Sequence, residues 1–385
     1  MIPLMIPDLP TTDDIIPWLH QIDQNKWYSN YGPLSKQFER EIVELLEAEN
    51  SGAPASGMVS TSSGTSALEV ALSAYRLRPG SKVLLPSLTF PATATAVIRC
   101  GLIPVFTDVD PNSWVLTPDI AESVIKKCDA DVVIPVSAYG VKIPEKPWQQ
   151  FAHKHQCKVL IDAAGAFPGQ VAMEGVDVTY SFHATKCLGI GEGGGIVSVN
   201  NAFLDCCREV TNFGFSQGTI HTSGINAKLS EYHAAVGLCQ IRRFKSTMLK
   251  RIKLRNKYVA GFSQSDNAVV FQEGKTAISP TLFVVSVPNK ASACVKRLTE
   301  QGIGVRQWYC PPLHRHKAFA SYLRNLSLKY GDLSISDYLG ESLVGLPFHP
   351  FLTDAQITTV VNAVIEVANN KQNNNKQAAP TRAFV

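Results

Sequence analysis

A lysine and an aspartate stand at the ends of two strand-like runs, and their positions predict a chemistry. Lys186 follows the apolar run TYSFHAT and precedes the glycine-rich turn GIGEGGG, which is a poor setting for a solvated surface charge. Asp162 ends the earlier run KVLID and is followed by the small residues AAGA. A lysine can hold an aldehyde as a Schiff base, and a carboxylate can keep a pyridine nitrogen protonated. The pair therefore predicts pyridoxal 5'-phosphate as the cofactor.

Each of these residues also has a simpler interpretation when it is taken alone. Lys186 would be a surface lysine whose aliphatic stem lies along a strand, and Asp162 would cap the element that follows it. Ser181 and His183 argue against a surface lysine, because three polar groups close together on an apolar run need partners. Ser181 is a candidate phosphate ligand, whereas His183 fits a core histidine equally well.

The segment TSSGTSA lies between a strand-like run and a helix-like run. Gly64 would let the backbone approach a ligand closely, and the N–H groups of a helix N-terminus attract anions. Thr65 adds a hydroxyl group. The segment predicts a phosphate site, although an ordinary helix cap accounts for the same residues. Phe90 follows another strand-like run, where it either stacks on a planar ring or packs in the core.

The elements that must position these residues follow an alternating pattern from about residue 59 to 199. Short runs rich in Val, Ile and Leu are separated by helix-like stretches such as TSALEVALSAYRL. This alternation predicts an α/β layer with a mostly parallel sheet, whose strand ends collect ligands. Residues 13–48, before this layer, have the spacing of amphipathic helices.

The chain beyond residue 200 has a different pattern. Two successive helices are predicted over 229–244 and 244–262, followed by a smaller α+β unit that includes a strand over GIGVRQWY. We expect a large N-terminal domain over 1–245 and a small C-terminal domain over 246–368. The Asn-rich tail, 369–385, is poor in apolar residues and is predicted to be disordered.

Several functional classes have little support in the sequence. The net charge of +4 is small for 385 residues and forms no basic stripe, which disfavours nucleic-acid binding. No apolar run reaches the ~18 residues that a membrane span needs, and the N-terminus lacks a secretory signal. The nine cysteines form no C-x-x-C pair, which is typical of a reducing cytoplasm and disfavours a zinc site.

Two further motifs are rejected on their context. The glycines of the run 189–195 include the spacing G-x-G-x-x-G, but they lead into the strand-like GGIVSV and not into a helix, so a dinucleotide site is not predicted. His314 and His316 have no acidic or cysteine neighbour at ligand spacing, so no metal site is predicted either.

In their order and spacing, these segments resemble the DegT/DnrJ/EryC1/StrS family of pyridoxal-phosphate-dependent sugar aminotransferases, which have the fold type I architecture. The resemblance covers roughly residues 1–368. The segments that carry it are TSSGTSAL, LPSLTFPATATA, PVSAYG, IDAAGA, SFHATKCLGIGEGGGIV, INAKLSEYHAAVGL and VRQWYCPPLH.

The resemblance implies a role for each matching residue. Lys186 would bind the cofactor's aldehyde, Asp162 its pyridine nitrogen, and Phe90 would lie over its ring. Gly64, Thr65 and Ser181 would hold its phosphate. The family also implies a homodimer, in which Asn226 reaches the phosphate in the neighbouring subunit. The implied reaction moves an amino group from L-glutamate to a keto-deoxysugar, linked to a nucleotide and aminated at carbon 3 or carbon 4, for surface polysaccharide or glycoside biosynthesis.

The sequence departs from the family pattern at two positions. Gly165 stands where many relatives carry Gln or His, and Ile161 replaces an acid. The missing side chain at 165 would open room for a different substrate or weaken cofactor binding. The alternatives are a keto sugar without a nucleotide, a cyclitol, or a non-catalytic regulator with the same fold. A regulator would be signalled by the loss of Lys186 or Asp162, and both are present. Arg306, Arg315 and Lys317 are either ligands of a diphosphate or solvated surface charges.

Overall fold

The computed structural model describes residues 1–54, 56–263, 268–273, 281–322 and 332–370. Its helices are α1 (Thr12–Asn25), α2 (Pro33–Glu49), α3 (Gly64–Ala74), α4 (Pro91–Arg99), α5 (Pro118–Cys128), α6 (Glu145–His155), α7 (Asn201–Val210), α8 (Glu231–Phe262), α9 (Ala291–Glu300), α10 (Ser334–Ser342) and α11 (Asp354–Asn369). Its strands are β1 (Gly57–Thr61), β2 (Lys82–Pro86), β3 (Ile103–Thr107), β4 (Val132–Val133), β5 (Lys158–Asp162), β6 (Val176–Ser181), β7 (Gly194–Ser198), β8 (Phe215–Ser216), β9 (Thr219–Ile220), β10 (Val270–Phe271), β11 (Phe283–Ser286) and β12 (Leu343–Leu346).

Seven strands form one large sheet in the order β1-β7-β6-β5-β4-β2-β3. All neighbours are parallel except β7, which runs antiparallel to both β1 and β6. Apolar side chains are buried on both faces, in two clusters that the surrounding helices cover. Burial on both faces explains why the strand sequences are continuously apolar. The prediction of an α/β fold with a large, mostly parallel sheet is confirmed.

A second, smaller sheet contains the antiparallel strands β10, β11 and β12 and packs against α9 and α11. A separate apolar cluster connects this unit to the large one, bringing Leu88 and Tyr139 against Val284 and Leu343. The cavity described below lies beside that junction. The segments beside the small sheet, 281–282 and 306–309, therefore supply one wall of the site.

The two helices predicted over 229–244 and 244–262 are a single helix, α8, so that prediction is wrong. The helix continues because one side of it is buried along both halves. Phe244 packs in the core of the large sheet, and Leu254 and Tyr258 pack in the core of the small one. The proposed domain boundary at 245/246 falls inside α8 and remains a prediction.

Two other local predictions need correction. The predicted helical stretch 13–48 is broken between α1 and α2, where Lys26 has a left-handed backbone (φ 53°) and Pro33 starts a new helix. The segment GIGVRQWY is not a strand and makes only isolated bridges, at Ile303 with Ile2 and at Arg306 with Gly345. Of the predicted disordered tail, residues 371–385 lie outside the described residues.

The glycine-rich run leads into a strand, as predicted, because β7 begins at Gly194. This placement removes the helix that a dinucleotide fingerprint requires. None of the helices in the described part of the chain is both long and apolar enough to cross a bilayer.

Candidate active site

A cavity of about 430 Å³ lies where β5 and β6 end and where α3 and α4 begin. Ligands collect at this edge of a parallel sheet because successive strands end there and the helix N-termini face it. Six of the seven residues predicted from the sequence line this cavity: Gly64, Thr65, Phe90, Asp162, Ser181 and Lys186.

Asp162 is the buried carboxylate of the site, with only 5% of its surface exposed. It accepts hydrogen bonds from the Thr93 hydroxyl (2.8 Å) and the Ala164 N–H (3.2 Å). Burial raises its pKa, and the two hydrogen bonds and the nearby Lys186 act in the opposite direction. Such a carboxylate lacks a full counter-charge, and a protonated ring nitrogen would provide one.

Lys186 lies in the turn after β6, and its side chain is partly accessible because it lines the cavity. The protein nevertheless surrounds the amine closely, and this desolvation lowers its pKa, while the Asp162 charge acts to raise it. Lowering the pKa of a lysine increases the share of neutral, nucleophilic amine at neutral pH. Its place in the cavity and its close surroundings argue against the interpretation of Lys186 as a solvated surface charge.

The N-terminus of α3 forms the third part of the site. Ser63 caps this helix by accepting a hydrogen bond from the Ser66 N–H (3.0 Å), and the Ser66 hydroxyl accepts one from the Ser63 N–H (2.9 Å). The first N–H groups of a helix have no carbonyl partner within it, so those of Gly64 and Thr65 are available to an anion. The predicted cap and the predicted phosphate site are thus the same element.

Gly64 is required here for close packing. A Cβ atom at this position would lie 2.7 Å from the Cβ and 3.1 Å from the Cα of Ser181, at the end of β6. The absence of that atom brings the helix N-terminus against the end of the strand. The Ser181 hydroxyl and the α3 N–H groups therefore meet at one end of the cavity.

An aromatic wall, formed by Phe90, Tyr139, Trp308 and Tyr309, closes another side of the cavity. Only Phe90 was predicted from the sequence. Phe90 is 56% exposed, and its ring centroid lies 6.4 Å from that of Tyr309. Tyr309 stacks on Tyr139 with centroids 5.4 Å apart, and the Tyr139 hydroxyl donates to the Trp308 carbonyl (2.7 Å). The core-packing interpretation of Phe90 is excluded by its exposure.

Thr93, Tyr139 and the Trp308–Tyr309 pair were missed as site residues from the sequence. Thr93 stands in the first turn of α4, in the same run as Phe90, and a threonine in such a run carries no signal of its partner. The segments PVSAYG and VRQWY contributed to the resemblance without assigning these residues a role.

The structure also changes the interpretation of two other residues. His183 is exposed at the cavity, where its Nδ1 lies 2.9 Å from the Thr185 hydroxyl, so it is not a core histidine. At Gly165, a Cβ atom would meet the Gly140 N at 3.3 Å. The backbone of Gly140 therefore packs closely against Gly165, which also lines the cavity.

Asn226, the seventh predicted residue, does not line the cavity. It is exposed, and it pairs with Asn212 in an isolated antiparallel bridge. His314 lies between the Ser87 hydroxyl (2.6 Å) and an Asp337 oxygen (3.0 Å), in a buried hydrogen-bonded arrangement. No group of His, Cys, Asp and Glu among the described residues is suited to hold a metal ion.

The residues present fit pyridoxal phosphate. The cavity contains an amine with a lowered pKa, a buried carboxylate without a full counter-charge, a glycine-tight anion cradle and an accessible aromatic face. These groups correspond to the aldehyde, the ring nitrogen, the phosphate and the ring of that cofactor.

Comparison with known proteins gives the same result. The sequence profile of the DegT/DnrJ/EryC1/StrS aminotransferase family matches residues 11–365. The chain is 29% identical to the dTDP-4-amino-4,6-dideoxy-D-glucose transaminase of Shigella dysenteriae, over 94% of this chain and 97% of the relative. It is 24% identical to the 3-oxo-glucose-6-phosphate:glutamate aminotransferase of Bacillus subtilis, over 87% of this chain and 76% of the relative.

Among solved structures, a putative PLP-dependent aminotransferase from Bacillus cereus ATCC 10987 superposes with a TM-score of 0.84 and 26% identity, covering 94% of this chain and 99% of that one. Together these matches confirm the predicted aminotransferase class and the predicted cofactor, pyridoxal phosphate.

Proposed function

Because the chain belongs to the DegT/DnrJ/EryC1/StrS aminotransferase family, we propose that it moves an amino group from L-glutamate to a nucleotide-linked keto-deoxysugar. Carbon 3 or carbon 4 of the sugar receives the amine, and the product enters a surface polysaccharide or a glycoside. The observation that carries the proposal is the desolvated Lys186 amine in one cavity with the buried Asp162 carboxylate. The relative that acts on a dTDP-linked sugar supports the nucleotide, and the glutamate-dependent relative supports the donor.

Pyridoxal phosphate, when bound, supplies an aldehyde that takes up the amino group and a ring that accepts negative charge. Asp162 would hold a proton on the ring nitrogen, since its raised pKa falls once a cation lies beside the carboxylate. The N–H groups of Gly64 and Thr65, with the Ser181 hydroxyl, would hold the phosphate, and the exposed Phe90 side chain would contact the ring.

Lys186 moves the protons of the reaction. In the first half-reaction its neutral Nζ would take the proton from the α carbon of the donor, which its lowered pKa favours, and deliver it to the aldehyde carbon of the cofactor. In the second half-reaction the same Nζ would take a proton from that carbon and deliver it to the sugar carbon that receives the amine. The aromatic wall of Tyr139, Trp308 and Tyr309 excludes water on one side during both steps.

The proposed enzyme is a cytoplasmic homodimer in which Asn226 serves the cofactor site of the neighbouring subunit. Two features support this role: Asn226 is exposed, and it lies outside the cavity of its own chain. Large apolar side chains are exposed in the same part of the chain, on Phe213, Phe215, Ile220 and Ile225. Such a patch is typical of a surface that a partner covers.

A keto sugar that carries phosphate without a nucleotide is the second candidate acceptor. The relative that acts on 3-oxo-glucose-6-phosphate favours it. A cyclitol acceptor is the remaining alternative.

The test is the visible absorption spectrum of the cofactor-loaded protein before and after L-glutamate. We expect the band of the lysine-bound cofactor to give way to that of pyridoxamine phosphate. Nucleotide-linked keto sugars, keto sugar phosphates and cyclitol ketones are then added in turn, and the acceptor class is the one that restores the first band. A loaded protein whose band responds to no amino donor contradicts the proposal.

The matched control is Lys186→Ala, which removes the amine and leaves the cavity walls in place. We expect this variant to fold normally, to bind the cofactor without the lysine-bound band, and to have no turnover. Turnover at the wild-type rate in the variant would refute the role of Lys186.

A further inference from the structure

Arg306, Arg315 and Lys317 were each predicted to be either a ligand of a diphosphate or a solvated surface charge, and the structure distinguishes between them. Arg315 is held in an ion pair with Asp337, and neither Arg315 nor Lys317 lines the cavity. Arg306 does line the cavity, and its side chain is exposed there. Its guanidinium carbon lies 5.9 Å from the centroid of the Trp308 ring.

The charges around the cavity leave the Arg306 guanidinium without an anionic partner. Among the described residues, no carboxylate lies within ion-pair distance of it. Of the two acids that line the cavity, Asp162 accepts a hydrogen bond from Thr93, and Glu192 lies 3.7 Å from His183. Lys186 serves the cofactor aldehyde and the proton transfers in the proposed reaction. Arg306 is therefore the permanent cation of the cavity that is free to meet a substrate.

The backbone that carries Arg306 is fixed from both sides. Its N–H donates to the Gly345 carbonyl (3.3 Å), and its carbonyl accepts from the Gly345 N–H (2.7 Å), which ties it to β12. Two residues later, the Trp308 carbonyl accepts the Tyr139 hydroxyl from the large unit (2.7 Å). A cation on such a fixed segment loses little further freedom when it binds an anion.

Both substrates of the proposed reaction use one cavity, and the amino donor always brings a carboxylate next to the carbon that reacts. A guanidinium binds a carboxylate with two parallel hydrogen bonds, which fixes its orientation as well as its position. We infer that Arg306 holds a carboxylate of the amino donor and so orients the donor's α carbon toward Lys186. This role rests on the proposed aminotransferase function and assigns its donor subsite.

The inference is tested with Arg306→Gln, which removes the charge and keeps a polar side chain. The first half-reaction is followed by the cofactor absorbance over a range of L-glutamate concentrations. We expect the concentration for half-maximal rate to rise about 10- to 100-fold, which corresponds to the loss of hydrogen bonds to a charged group. The absorbance band of the loaded variant should be unchanged, because Arg306 is not assigned to the cofactor.

A second measurement separates binding from activity. Glutarate has both carboxylates of glutamate and no amino group, so its binding to the loaded protein is measured by calorimetry without reaction. Arg306→Gln should weaken this binding by a similar factor, and Arg306→Lys, which keeps the charge but not the planar fork, should lie between the two. Lys317→Gln makes the same charge change outside the cavity and should behave as the wild type.

Wild-type binding of glutarate and L-glutamate by Arg306→Gln would overturn the inference, as would a failure of the wild type to bind glutarate. If the wild type binds glutarate but does not react with any amino donor, and Arg306→Gln binds glutarate more weakly, the aminotransferase proposal is refuted while the anion site at Arg306 is supported. A weaker effect on L-glutamate than on a phosphorylated keto sugar would assign Arg306 to the acceptor and overturn the donor role. If Arg306→Gln does not fold, Arg306→Lys is compared with the wild type in its place.

Discussion

Replacing Gly64 with alanine tests the packing that forms the phosphate cradle. The added Cβ would lie 2.7 Å from the Cβ of Ser181, closer than real Cβ contacts, and 3.1 Å from its Cα, which is also tight. The backbone fixes the positions of both Ser181 atoms, so a change of rotamer cannot relieve these contacts. Either the start of α3 or the end of β6 must move, and each carries a group of the cradle.

The size of the effect follows from two opposing contributions. Overpacking in a fixed environment costs about 1–3 kcal/mol. Alanine is favoured over glycine inside a helix by up to about 1 kcal/mol, and less at the first helical residue. The overpacking cost therefore exceeds the gain in helix propensity. If a displacement of the cradle relieves the overpacking, the net cost of about 1–2 kcal/mol corresponds to about 5- to 30-fold weaker affinity for the cofactor.

The assay is titration of the cofactor-free protein with pyridoxal phosphate, followed by its absorbance, with the melting temperature as a measure of folding. Gly165→Ala is the matched control, because its Cβ would meet the Gly140 N at a milder 3.3 Å and away from the cradle. It should lose less affinity than Gly64→Ala. Wild-type affinity in Gly64→Ala, or an equal loss in both variants, would refute the assignment of the cradle.

Two further predictions follow from the geometry of the site. The rate at which cofactor-free protein captures pyridoxal phosphate should reach its plateau below the pH set by an ordinary lysine pKa of 10.5, because burial lowers the pKa of Lys186. Asp162→Asn removes a charge that raises this pKa, so its plateau should move to lower pH, and a move to higher pH would contradict the electrostatic argument. If Asn226 serves the neighbouring subunit, Lys186→Ala and Asn226→Ala proteins should partly restore activity when they are mixed and allowed to exchange subunits, since each mixed dimer has one intact site. Activity no higher than the sum of the two separate variants would refute a shared site.

Local sequence was sufficient for the chemistry of the site. Asp162 and Ser181 end strands, Gly64 begins a helix, and Lys186 lies in the turn after a strand, so each position can be predicted from a few neighbouring residues. A parallel sheet brings its strand ends to one edge wherever the strands lie in the sequence. The sequence therefore predicted the sheet, the cofactor and six residues that line one cavity.

Local sequence was not sufficient to predict the secondary structure of segments that pack against distant parts of the chain. The segment GIGVRQWY has the composition of a strand, yet only Arg306 pairs with β12, and Trp308 and Tyr309 contact Tyr139 of the large unit instead. Two helices were predicted where the structure has the single helix α8, because the cores of the large and the small sheet bury successive parts of the same helix face.

The tertiary structure alone decided which polar residues act together. Thr93 donates to Asp162 across 69 positions of the chain, and Tyr139 reaches the Trp308 carbonyl across 169. The tertiary structure also placed Arg306 in the cavity and Arg315 in an ion pair with Asp337, although the two arginines are only nine residues apart in the sequence. A single sequence without its fold determines the residue types that carry the chemistry. Hydrogen bonds, stacking and charge pairing between distant residues depend on distances of a few ångströms, which only the packed chain fixes.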